Sequence, residues 1–277
     1  MRPLLHVCSP FVFGALVLLP TPVLAFCRAT NCAPTEDSEC VRSDDGCVID
    51  GLPLGWSPGS KVSVASETGP GAGNLSSEDA QEAMRAAVEA WSSVVCAAEK
   101  RPHLDFDVAD ADSAVSVRVV FRADAWPHEQ DAVAKTLLSF DLDTGLLQAA
   151  NIEVNAFAYA LALAPSTGEV DLTAVLTHEL GHVLGLDHSR AAGATMQSES
   201  TTLWASALSS LEQDDRDGLC SLYPPTTDTD DYDLSDDVKL ADPPSGCSVA
   251  SAPASGGAWG LGAALSVAAC WLARRRA

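Results

Sequence analysis

The 277-residue chain carries 38 acidic against 16 basic residues, a formal net charge of −22, and 47% of it is hydrophobic. That acidity argues against nucleic acid or anionic lipid headgroups as partners, because both would be repelled. The hydrophobic share suffices for a buried core in one domain or two.

In chain order, Arg2, an apolar run from Phe11 to Leu19 and the small residue Ala25 form a secretory leader over residues 1–25, so the mature chain is expected to begin at Phe26. The alternative is an N-terminal membrane anchor, for which the run is short. Residues 26–51 hold Cys27, Cys32, Cys40 and Cys47 but few large apolar residues, and read as a disulfide-stapled segment without a core of its own. With Cys96 and Cys220 these make an even set, which in an exported chain reads as disulfides. Spacing favours Cys96 with Cys220 and two bridges among the other four.

A compact domain is expected over residues 52–223. Val62 and Val64 alternate like a strand over Lys61–Ala65, and Ser76 caps a helix whose inner face is Ala80, Met84, Ala87, Val88, Trp91 and Val95. Leu104, Phe106 and Val108 alternate again, as do Val115, Val117, Val119 and Phe121. Lys135–Asp141 and Leu147–Asn155 form a hairpin about Asp143-Thr144-Gly145. A helix over Leu172–Leu184 ends at Gly185, and another over Ser209–Ser221 stops before Pro224 and Pro225. The order β-α-β-β-β-β-α-α implies an α+β domain, a sheet with helices packed on it.

Residues 224–257 form an acidic spacer that includes Asp228, Asp230, Asp231 and Cys247 and has no hydrophobic period. Residues 258–277 are an apolar run followed by Arg274, Arg275 and Arg276, just short of a comfortable membrane span.

The chemistry lies in His178-Glu179-Leu180-Gly181-His182-Val183-Leu184-Gly185-Leu186-Asp187-His188. Residues four apart share a helix face, so His178 and His182 can address one metal, with Glu179 beside them. Gly185 permits the positive φ that ends the helix and turns the chain back, bringing His188 in as third ligand. Three imidazoles leave a fourth position for water, which marks a catalytic zinc site rather than a structural one. A bare His-Glu-x-x-His arises by chance in roughly one chain of this length in a hundred, and the fixed Gly and third His lower that about a thousandfold.

These residues fit the metzincin pattern of zinc peptidases, and the chain around them resembles the matrixins. Asp171-Leu172-Thr173-Ala174-Val175-Leu176-Thr177 leads in as matrixin active-site helices do, Ala194-Thr195-Met196-Gln197 stands where the family has its Met-turn, and residues 208–223 are similar to its closing helix. The resemblance implies a zincin-like (metzincin) domain: a twisted, mostly parallel sheet with an antiparallel edge strand, an active-site helix and a C-terminal helix. It implies a zinc-dependent metalloendopeptidase in which His178, His182 and His188 hold one Zn2+, Glu179 is the general base and Met196 floors the site. It also implies that Ile152, Glu153, Val154 and Asn155 lie on the edge strand above the cleft, where an extended peptide substrate adds, and that Leu203 and Trp204 shape a pocket.

Three features of the family find no counterpart: a cysteine-switch motif, a long propeptide and the structural-zinc histidines, His103 and His128 reading as isolated surface or turn residues. Whether residues 26–50 keep the enzyme latent is open. Ca2+ at Asp110/Asp112 or Asp141/Asp143 is a weaker expectation, since neither pair has a full ligand pattern. A monomer is expected. The tail resembles the Cys-bearing C-terminal sorting signals of myxobacterial surface proteins (MYXO-CTERM), which implies Cys247 as an anchor and membrane association through the tail. The alternatives are a permanent short membrane helix for the tail and, for the domain, an inactive surface binding protein or a zinc hydrolase of a non-protein substrate.

Overall fold

The computed structural model describes residues 26–34, 38–67, 75–110, 113–197 and 206–226. The leader, Asp112, Leu203, Trp204, and the spacer and tail from residue 227 on, Cys247 included, lie outside the described residues. The elements are β1 (Cys27–Arg28), β2 (Lys61–Ser66), α1 (Ser77–Ser92), β3 (Asp105–Val108), β4 (Val117–Phe121), β5 (Ala134–Phe140) and β6 (Leu147–Val154). There follow β7 (Ala160–Ala162), β8 (Glu169–Asp171), α2 (Leu172–Val183), β9 (Leu186–Asp187) and α3 (Gln213–Leu222).

Five strands form a mixed sheet in the order β3-β2-β4-β6-β5, with β3, β2, β4 and β6 parallel and β5 antiparallel at one edge. Inner parallel strands are covered on both sides and so are apolar: Val117, Val119, Ile152 and Val154 are all buried. The β5–β6 hairpin turns where Asp141 Oδ1 accepts from the amides of Asp143 (3.0 Å) and Thr144 (2.9 Å). Helix α1 starts where the Ser76 hydroxyl accepts from the Asp79 amide at 3.0 Å, and it buries Ala80, Ala83, Met84, Ala87, Val88 and Trp91 against α2 and the sheet. Val95 departs from expectation: it lies past the helix end and is exposed, because the chain turns there into Cys96 and its bridge to Cys220.

The edge-strand expectation needs correction. Ile152, Glu153, Val154 and Asn155 do not lie on an edge, because β6 is paired with β4 on one side and β5 on the other, and its backbone cannot take a further strand. Ile152 and Val154 are core residues. Asn155 closes a turn, its Nδ2 donating to Ala132 O (3.1 Å) and its Oδ1 accepting from the Ala158 amide (3.0 Å). The edge belongs to β5.

Three disulfides are present, Cys27–Cys47, Cys32–Cys40 and Cys96–Cys220: the last is the bridge favoured by spacing, and the first two fix the pairing that spacing leaves open among the other four. The last closes a sequence separation of 124, where the chain-entropy argument gives about 5 kcal/mol. The N-terminal segment joins the domain directly: β1 pairs antiparallel with β9, and Phe26 and Ala29 pack on the core. Helix α3 begins at Gln213, later than expected, because Glu212 and Asp215 form a reciprocal capping box that fixes its start. Among the described residues, no helix is long and apolar enough to cross a membrane.

Candidate metal and active site

Helix α2 carries the motif. Asp171 caps it, Oδ1 accepting from the Ala174 amide at 3.1 Å. The helix is buried on nearly every side, so its last carbonyls, which water would otherwise satisfy, need other donors, and inner carbonyls can take a second one. Trp91 Nε1 donates to Thr177 O, Trp56 Nε1 to Val183 O and Tyr223 Oη to Leu184 O, each at 2.8 Å.

Gly185 follows with φ +94°, and a Cβ there would stand 2.7 Å from the Leu54 carbonyl oxygen, so the turn admits no side chain for two separate reasons. The chain leaves this turn as β9, pairs with β1 and delivers His188. The ring centroids lie 4.9 Å (His178–His182), 5.2 Å (His178–His188) and 4.8 Å (His182–His188) apart. One nitrogen from each ring falls within 4.8 Å of the other two, a grouping that can hold a metal ion.

The donor chemistry fits zinc. His178 Nδ1 meets Thr195 O at 2.7 Å and His182 Nδ1 meets Leu186 O at 2.9 Å. A carbonyl only accepts, so both Nδ1 atoms carry the proton and both Nε2 atoms keep a lone pair. Burial first, and neighbouring imidazoles second, push all three histidines down to about 4, so they are neutral near pH 7, as ligands must be.

Met196 packs against α2 at Gly181. It is 1% exposed, and its Sδ occupies the space a side chain at Gly181 would need, 2.2 Å from an ideal Cβ. Its segment is tied from two directions. The Ser189 amide donates to Met196 O at 2.6 Å, and Asp215 on α3 accepts from the amides of Met196 (3.0 Å), Thr195 (2.9 Å) and Glu212 (2.8 Å). Burial raises the Asp215 carboxyl, and these amides pull it back. Beside it, Asp214 accepts from the Phe26 amide at 3.0 Å and from the Ser189 hydroxyl at 2.6 Å, linking the N-terminal segment to the loop after His188.

Glu179, 5% exposed, is adjacent to the triad but outside the metal-holding group. Its Oε2 accepts from the hydroxyl of Thr136, on edge strand β5, at 2.6 Å. Glu153, by contrast, pairs with Lys135 across β5–β6 and faces away from Thr136 and Ile152. It is held by Arg122 and by His128 Nε2 (2.8 Å); the Arg122 hydrogen bond chiefly keeps its carboxyl below the usual range. His128 is therefore not isolated as expected: it is half-buried between Glu153 and the edge of Trp126.

Calcium gains no support. Asp141 spends its carboxylate on the hairpin turn, and among the described residues neither Asp141 nor Asp143 joins a metal-holding group. Cys32 and Cys40 cluster with Asp50, but their sulfurs are bonded to each other.

Several contributors went unread in the sequence. Thr136 sits in a strand without any motif, and the carbonyls of Thr195 and Leu186 have no residue signature at all. Asp215 had one: an acid three residues after Glu212 at a helix start, which is capping-box spacing.

The family model described as matrixin matches residues 61–224. No curated protein matches the chain.

Proposed function

The chain belongs to the matrixin family of zinc metallopeptidases, and on that premise we propose that it is an endopeptidase that cleaves extended segments of extracellular proteins, with Glu179 as general base. One observation carries this reading: three neutral imidazoles converge beside a buried carboxylate that is itself held by the edge strand.

His178, His182 and His188 are the residues to hold zinc. When bound there, zinc acts as a Lewis acid and draws the pKa of a coordinated water towards about 7. Glu179 accepts a proton from the attacking water and passes it to the leaving amine. No side chain becomes bonded to the substrate. Met196 and Asp215 keep the floor and walls of the site in place. The outer edge of β5, terminal in the sheet among the described residues, is the side to which a peptide adds as a further strand, passing Glu179 at Thr136. That edge also favours a peptidase over the rival of a zinc hydrolase with a non-protein substrate.

The test is incubation with a mixed peptide library, with products read by mass spectrometry. Internal cleavages that a chelator abolishes are expected. Trimming from the ends alone would refute the endopeptidase assignment.

The chain is organised as a leader (1–25), a Cys-rich segment (26–51), the catalytic domain (52–223), an acidic linker (224–257) and a sorting segment (258–277). Export and retention at the bacterial surface follow from the leader and tail motifs, with Cys247 as the anchor once residues 258–277 are removed. Intact mass of the mature protein decides this: an end beyond Cys247 that still includes Ala277 would count against sorting.

A further inference from the structure

We infer that Thr136 is the positioning residue for the general base, an inference that rests on the peptidase reading above. On β5, Ala134, Thr136, Leu138 and Phe140 alternate onto one face. Ala134, Leu138 and Phe140 are partly buried and packed against the core, so the row is apolar except at the position facing Glu179. Valine has the shape of threonine and suits a strand equally well, so packing alone does not call for a hydroxyl here.

The hydroxyl has a defined task. Thr136 Oγ1 lies 2.6 Å from Glu179 Oε2 and 3.3 Å from the Glu179 backbone oxygen. It has one proton, and the shorter contact to the charged acceptor takes it. The Thr136 backbone is locked opposite Ile152 in the β5–β6 ladder, and β-branching restricts its side chain. A fixed donor therefore holds Oε2 of a carboxylate that is 5% exposed and next in sequence to the ligand His178. Thr136 also sits on the open edge of the sheet. A peptide lying along that edge passes the residue whose side chain orients the base, so substrate register and base orientation share one anchor.

The experiment compares Thr136→Val and Thr136→Ser with the wild type, all zinc-loaded and in the full mature chain. In Thr136→Val, kcat is expected to fall about 10- to 100-fold, the rate equivalent of one hydrogen bond to a charged group. KM should stay within about twofold, the mark of an interaction that matters to the chemical step rather than to binding. Zinc stoichiometry should not change, the melting temperature should fall by a few degrees as Glu179 Oε2 loses its donor, and Thr136→Ser should recover most of both the rate and the stability. A second readout needs no turnover: the infrared carboxylate band that disappears in Glu179→Gln metal-free protein should shift in Thr136→Val and not in Thr136→Ser. Wild-type kcat in Thr136→Val, or a serine variant as slow as the valine one, overturns the assignment while leaving the peptidase reading intact. A wild-type protein with no zinc-dependent cleavage defeats that reading and removes this inference with it.

Discussion

Glu179→Ala is expected to leave the fold and one equivalent of zinc in place and to lower kcat/KM by about 100- to 10,000-fold, the usual contribution of a positioned general base. Zinc is retained because the carboxylate stands outside the three-imidazole group. Stability is not expected to drop. Glu179 is buried with a single side-chain donor described for it, and a buried carboxylate opposes folding unless fully compensated. The melting temperature should therefore hold or rise, the behaviour of a group kept for chemistry rather than for structure. Steady-state kinetics on a peptide, with metal analysis and thermal melting on the same preparations, check all three parts. Retained activity would remove Glu179 from the mechanism, and loss of zinc would make it a ligand.

Asp215→Ala is expected to have a large effect on stability although it lies away from the metal ligands. The side chain is 1% exposed and accepts from three backbone amides, those of Thr195, Met196 and Glu212. Alanine leaves these donors buried without an acceptor, at a cost of about 1–3 kcal/mol for each that water does not reach, or about 3–9 kcal/mol if water reaches none of them. The damage passes to the site, because Thr195 supplies the carbonyl that orients His178, and Met196 fills the space beside Gly181. Weaker zinc binding is the expected companion of lower stability. Asp215→Asn keeps an acceptor oxygen and the shape of the side chain, and should lose less. Denaturant unfolding of the metal-free proteins, with zinc titration of each, measures both effects; an alanine variant as stable as the wild type would show that α3 does not anchor the Met196 turn.

How much of this the sequence discloses depends on the range of the interaction. Signals that lie within a few residues were legible. The Ser76 cap, the inner face of α1, the Asp143-Thr144-Gly145 turn and the spacing from His178 to His188 each follow from local geometry. The same was true of the Cys96–Cys220 bridge, once the four crowded cysteines were set apart. What could not be read depends on which strand lies beside which. Periodicity marks both β5 and β6 as strands, but a run such as Ile152–Val154 carries no sign of whether it has one neighbour or two, so the sequence does not tell which member of the hairpin is the edge. Thr136 escaped for the same reason, since its partner Glu179 is brought to it only by the packing of α2 on β5. Two-residue strands such as β1 and β9 are too short for any period, and the carbonyls that orient His178 and His182 belong to the backbone, which every residue shares.

Titration of metal-stripped protein with zinc, following both bound metal and hydrolysis of an internally cleaved peptide, tests the central claim most directly. Hydrolysis should be absent without metal, should rise in step with binding and should saturate at one equivalent. Substituting His178, His182 or His188 by alanine should weaken binding and activity together. Full hydrolysis in the stripped protein, or saturation unaffected by loss of any of the three histidines, would contradict it.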